Sequence, residues 1–118
     1  MNSVPKAIGP YSPIVIAGNI AFCSGQVGAS PQTGELARGI EDQTKQTLEN
    51  LRSVLNSEGF QLSDVVKTTV FLKNIEDFAK MNEIYSLYFN ESKPARSTIG
   101  VANLPKGALI EIEAIAIK

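Results

Sequence analysis

The chain has 118 residues, with 11 basic and 12 acidic side chains for a formal charge of −1, one cysteine and no histidine. That length suits one domain, residues 1–118, with a core modest enough for a subunit interface to be a natural supplement. Intermixed charges argue against a nucleic-acid or membrane tail, the lone Cys23 excludes an internal disulfide and any multi-thiolate metal site, and the missing histidine removes every histidine-based triad.

Residues 1–13 carry Pro5, Gly9, Pro10 and Pro13 and read as an ordered loop or extended arm. They lack the apolar stretch and cleavage site of a secretory leader, and no apolar run reaches membrane-spanning length. A reduced, cytoplasmic setting is expected. Ile14 to Ala17, a Gly18-Asn19 turn and residues 20–24 read as a β-hairpin, and 25–39 as loop. Ile40, Thr44, Leu48, Leu51 and Leu55 then recur at steps of three and four, the stripe of an amphipathic helix. Glu41 and Asp42 suit its first turn and Gly59 its left-handed stop.

Residues 65–72 are β-branched and strand-like. Asn74, with Asp77 three residues on, resembles a capping box for a second helix whose stripe is Phe78, Met81, Tyr85 and Tyr88, ended by Pro94. A strand over 95–101, a turn at Leu104-Pro105-Lys106-Gly107 and a last strand over 108–117 complete the order ββαβαββ. The expected fold class is α+β, a mixed sheet with two helices on one face.

Four places contradict their local pattern. Asn82 falls on the apolar stripe of the second helix, where a buried amide needs a partner, most simply a nearby loop backbone. Arg96 shares a strand face with Thr98 and Gly100; its planar fork matches a carboxylate, and the alternative is a surface arginine paired with an acid. Glu111 and Glu113 lie on one face of the last strand, which continues as Ile115 and Ile117. Such a half-apolar face suggests a cover, plausibly another subunit, and a covered carboxylate is a candidate base or water-holder. Ser24-Gly25-Gln26 could present a hydroxyl and an approachable N–H, although Ser-Gly after a strand is mostly a turn. Cys23 is expected to face the core, without chemistry.

Taken together, Ile8-Gly9-Pro10-Tyr11-Ser12, Ser24-Gly25-Gln26, Val65 to Phe71, Pro94-Ala95-Arg96-Ser97 and Leu104-Pro105-Lys106 followed by Ile110 to Ala114 resemble the Rid family, formerly YjgF, whose enzymatic branch is RidA. The resemblance runs from about Ala7 to Ile117 in the family order. It implies a chorismate-mutase-like fold assembled as a homotrimeric barrel with clefts between neighbouring subunits. It implies hydrolysis of reactive 2-imino acids, in equilibrium with enamines, to 2-keto acids and ammonia: 2-iminobutanoate/2-iminopropanoate deaminase activity, with no metal or organic cofactor. Carried over by position, Arg96 binds the substrate carboxylate and Glu111 holds the attacking water. Tyr11, Ser24 and Asn82 line or brace the cleft, and Gly25 closes it. Thr98 stands where many members carry cysteine. It is expected to contribute mainly backbone groups, and the loss of the thiol puts an oxidatively activated chaperone role in doubt.

Two other readings compete. A non-catalytic regulator could bind small carboxylate metabolites in the same clefts. A ribonuclease fits poorly with a chain that has no histidine, no basic stripe and a net charge of −1, so nucleic acid is an unlikely partner.

Overall fold

The computed structural model describes residues 4–118. Met1–Ser3, part of the expected arm, lie outside the described residues; from Val4 to Pro13 the chain forms neither helix nor strand. Seven principal elements follow: β1 (Ile14–Ala17), β2 (Ile20–Val27), α1 (Gly39–Ser57), β3 (Val65–Leu72), α2 (Phe78–Phe89), β4 (Ala95–Gly100) and β5 (Ile110–Ile117). Short 3-10 turns at Leu62–Asp64, Ile75–Asp77 and Pro105–Gly107 join them. The sheet order is β1-β2-β5-β3-β4, antiparallel except for the parallel β3–β4 pair. The expected mixed α+β sheet with helices on one face is what forms.

Alternation decides which face is covered. Ala21, Cys23, Val70, Leu72, Ile110, Ile112, Ala114 and Ala116 bury one sheet face against Leu48, Leu51 and Leu55 of α1 and Met81, Tyr85 and Phe89 of α2. Cys23 is buried there, and desolvation pushes its thiol up to about 11, so it remains a neutral core residue. The other face exposes Val15, Phe22, Ile99 and Ile117 alongside half-buried Ile115. Pairing sets Val15 against Phe22, and Phe22 against Ile115, so these apolar side chains lie together across three strands.

Several local expectations need correction. β2 does not end at Ser24: a bulge between Cys23 and Gln26 lets it resume pairing, Gln26 with Ile112 and Val27 with Glu111. The extra residue of a bulge looks like a turn in sequence, which is why 25–27 read as loop. Asn74 makes no side-chain cap, because a 3-10 turn intervenes before α2. The capping-type bond forms elsewhere: Asp64 accepts from the backbone N–H of Gln61 at 2.8 Å. The buried stripe of α2 is Met81, Tyr85 and Phe89, steps of four, while Phe78 is 40% exposed and Tyr88 turns aside to donate its hydroxyl to Glu49 at 2.8 Å. α2 also stops at Phe89, before Pro94, and the chain turns through Lys93 at φ 44°.

On α1 a row of buried polar residues fixes the loop that follows β2. Asn50 donates to the carbonyls of Val27 and Ala29, both at 2.9 Å. Gln43 donates to Ala37 O at 3.0 Å and accepts from Leu109 N at 2.9 Å, joining this loop to the entry of β5. Gly28 packs so closely on α1 that a Cβ there would lie 2.8 Å from the Gln43 Cα. These bonds hold the backbone of this loop and of the strand ends beside it, and Asn50 forms part of one wall of a cavity.

Candidate functional site

Arg96 is the second residue of β4 and pairs with Thr68 of β3, whose side chain is fully buried under α2. It therefore points to the helical face. Its Nη1 donates to Asn82 Oδ1 at 2.7 Å, and its guanidinium carbon lies 4.7 Å from the Tyr85 ring centroid and 5.4 Å from that of Phe78. The Tyr85 ring is held in turn by a 2.7 Å hydrogen bond between its hydroxyl and Thr68 Oγ1. Asn82 is half-buried, and its side-chain oxygen serves Arg96 rather than a loop backbone. Two residues that each looked out of place are thus partners of one another.

Among the described residues no acid pairs with this guanidinium, and the one ion pair joins Arg52 to Glu49, on α1. Arg96 is held by a neutral amide and two aromatic rings, which orient a planar cation while leaving its charge uncompensated. It opens on a cavity of about 320 Å³ bordered by Asn82, Tyr85, Ser86 and Pro94. Thr98 shares the same face of β4, and its Oγ1 is buried with no hydrogen-bond partner, a situation that costs about 1–3 kcal/mol. Gly100 is not needed for space: a Cβ there would meet Ile75 Cβ at an ordinary 3.5 Å.

Glu111 occupies the opposite face of the sheet. It alternates with buried Ile110 and Ile112 and pairs with Phe71 and Val27. The β2 bulge brings Gly25 directly against it: a Cβ on Gly25 would overlap the Glu111 carboxylate, with Cδ at 2.7 Å. Glycine here is a steric requirement of the carboxylate's position. Burial, and then the Glu113 carboxylate two residues on, push Glu111 above its ordinary range. Ser24 donates its hydroxyl to Ser12 O at 2.7 Å and its N–H to Pro13 O at 2.9 Å, fastening the N-terminal arm. Tyr11, half-exposed, joins Ser24, Gly25, Asn50, Lys106 and Glu111 around a cavity of about 580 Å³.

Of the residues singled out from sequence, the chain brings together Tyr11, Ser24, Gly25 and Glu111 in one cavity and Asn82 and Arg96 in another. It does not bring Arg96 to Glu111, since the sheet lies between them. Lys106 was missed. It adopts φ 61°, ψ 13°, an uncommon left-handed conformation for a non-glycine residue, and its Nζ donates to Gly34 O at 3.1 Å, tying the turn before β5 to the loop after β2. Asn50 was missed as well, because a polar residue among the apolar steps of a helix carries no mark of its distant partners.

The family model described as Endoribonuclease L-PSP matches residues 1–118. The chain is 56% identical over 117 residues to a RutC family protein of Pyrococcus horikoshii, covering 98% of this chain and 93% of the other. It is 44% identical over 119 residues to the 2-iminobutanoate/2-iminopropanoate deaminase of Escherichia coli, covering 98% and 93%. Its fold superposes on the crystal structure of RidA from an Antarctic Psychrobacter with a TM-score of 0.94 at 42% identity, covering 98% of this chain and 94% of that one. Matches spanning nearly every residue, together with a fold that superposes along almost its whole length, place this chain in the Rid (YjgF/RidA) family.

Proposed function

We propose that this protein hydrolyses 2-imino acids to 2-keto acids and ammonia in clefts formed between subunits of a homotrimer, acting as a 2-iminobutanoate/2-iminopropanoate deaminase. The observation that carries the reading is the unneutralised Arg96, oriented by Asn82, Phe78 and Tyr85 with no acidic partner among the described residues. A fixed, uncompensated guanidinium is a receptor for a small carboxylate.

In this mechanism Arg96 holds the carboxylate of the imino acid and Glu111 aligns a water against the imine carbon. The water oxygen bonds to that carbon as the C=N π electrons move to nitrogen, which takes up a proton. Collapse of the resulting carbinolamine forms the C=O bond, breaks the C–N bond and releases ammonia. A carboxylate whose affinity for protons is raised by burial accepts the water's proton more readily than an ordinary glutamate and can return it to the departing nitrogen. Arg96 and Glu111 meet only if they belong to different copies of the chain, because each copy holds them on opposite faces of its own sheet. The apolar patch of Val15, Phe22, Ile115 and Ile117 on the Glu111 face supplies a surface for that assembly.

The name of the matching family raises the ribonuclease reading again. The absence of histidine, the net charge of −1 and a 44% identical relative named as a deaminase weigh against it. The test couples the protein to a serine or threonine dehydratase and follows the initial rate of keto-acid release. Wild-type protein should accelerate release, and Arg96→Ala should give no more than the rate without addition while retaining its fold. Normal acceleration by Arg96→Ala would remove the assigned role of that residue.

A further inference from the structure

The turn at Pro105–Gly107 helps to line the Glu111 cavity, and it holds a lysine in a conformation better suited to glycine. Lys106 sits at φ 61°, ψ 13°, where a Cβ crowds the neighbouring backbone. Its side chain crosses to the loop after β2 and donates from Nζ to Gly34 O at 3.1 Å. That acceptor is itself held, because Gly34 N donates to Ser30 O at 2.8 Å and Ser30 N to Glu35 O at 2.9 Å. Ala29 pairs with Leu36 across the same loop, which joins its two limbs. Among the described residues no acid pairs with the Lys106 ammonium.

Fold stability does not account for a lysine here. Lys106 is exposed, so its bond to a neutral carbonyl competes with water and orders a long side chain. The gain from that bond and the cost of the left-handed backbone are of similar size and opposite sign. Residues kept in such conformations cluster where function requires them. The strap spans two parts of one cavity: Pro105 and Lys106 on one side, Val27 and Ala29 on the other, with Glu111 in the same lining. The turn also leads into β5, since Ala108 N donates to Pro105 O at 3.0 Å and Glu111 follows three residues later.

We infer that Lys106 is a positioning residue for imine hydrolysis: its ammonium straps the turn before β5 to the loop after β2 and fixes the wall of the Glu111 cavity. The inference rests on the deaminase reading and adds to it a residue that acts through the wall, without touching the reacting atoms.

The experiment follows keto-acid release in the dehydratase-coupled assay across a range of protein concentrations, together with thermal unfolding. It compares wild type, Lys106→Gly, Lys106→Met and Lys106→Arg. Lys106→Gly removes the strap and relieves the backbone, so it should melt at or above the wild-type temperature. Its rate acceleration should nevertheless fall about tenfold, the scale of loss when a bound substrate is held less well. Lys106→Met keeps the stem and the strained backbone without the ammonium, and should lose the same activity. Lys106→Arg can donate to the same carbonyl and should recover to within about threefold of wild type. A normal rate in Lys106→Gly or in Lys106→Met overturns the inference, and so does an arginine variant as slow as the methionine one. Melting of Lys106→Gly well below wild type overturns it too, since the lysine would then serve the fold. If wild type itself does not accelerate release, the deaminase reading fails and takes this inference with it.

Discussion

At the scale of single residues, the site is built from exceptions to local pattern. Gly25 is glycine because the Glu111 carboxylate occupies the space of its side chain. Glu111 is held where water is partly excluded and a second acid is close, so its charged form is disfavoured in the folded protein. A carboxyl group with a raised folded-state pKa contributes stability below its ordinary pKa and loses it as pH rises through the raised value. At pH 7 the charged Glu111 is thus a cost to the fold. Glu111→Gln should melt at or above the wild-type temperature at pH 7, with the difference closing below about pH 4, where both side chains are neutral. The same variant should lose imine hydrolysis. A variant that melts well below wild type at pH 7 would show that the carboxylate stabilises the fold instead.

At the scale of elements, α2 and β4 act as a clamp. Parallel pairing of β3 and β4 sets Arg96 beside Thr68, Thr68 fixes the Tyr85 hydroxyl, and the Tyr85 ring lies under the guanidinium. The ring rather than the hydroxyl is the feature that meets Arg96. Tyr85→Phe should therefore cost about 1 kcal/mol of stability from the lost bond to Thr68 and keep kcat/KM within about threefold. Tyr85→Leu should raise KM about tenfold by freeing the arginine, a split visible in steady-state kinetics. Equal kinetic losses in the two variants would assign the effect to the hydroxyl. Sequence periodicity located α2 and its apolar face but misassigned its ends, since Tyr88 and Phe89 are both aromatic and only packing chose Phe89 for the core.

At the scale of the whole molecule, one chain carries two cavities separated by its own sheet: one beside Arg96 under α2, and one lined by Glu111, Gly25, Ser24 and Tyr11 on the far side. If sites form between copies, two inactive variants complement each other. Arg96→Ala and Glu111→Gln, unfolded and refolded together in equal amounts, should regain about a quarter of wild-type activity, because a quarter of randomly assembled sites draw both intact residues from different chains. No recovery, in material shown to contain mixed oligomers, would mean that the two residues do not combine across copies and would contradict the shared-cleft proposal.

By itself the sequence determined the order of elements, the inward and outward faces of the strands, and the residues that break those patterns. These follow from periodicities of two and of three to four, which are local properties of a chain. The blocks around Tyr11, Ser24, Arg96 and Glu111 also carried the resemblance to the family. Tertiary structure alone decided that Asn82 serves Arg96, that Asn50 holds the β2 loop, that a bulge presses Gly25 onto Glu111, and that Thr98 keeps an unpartnered hydroxyl. The first three join residues distant in the chain and the fourth depends on distant groups staying out of reach, and no local pattern encodes which distant group a polar side chain will meet. Sheet order did the rest: it set β5 at the centre and β4 at the edge, while alternation along the paired strands put Arg96 and Glu111 on opposite faces.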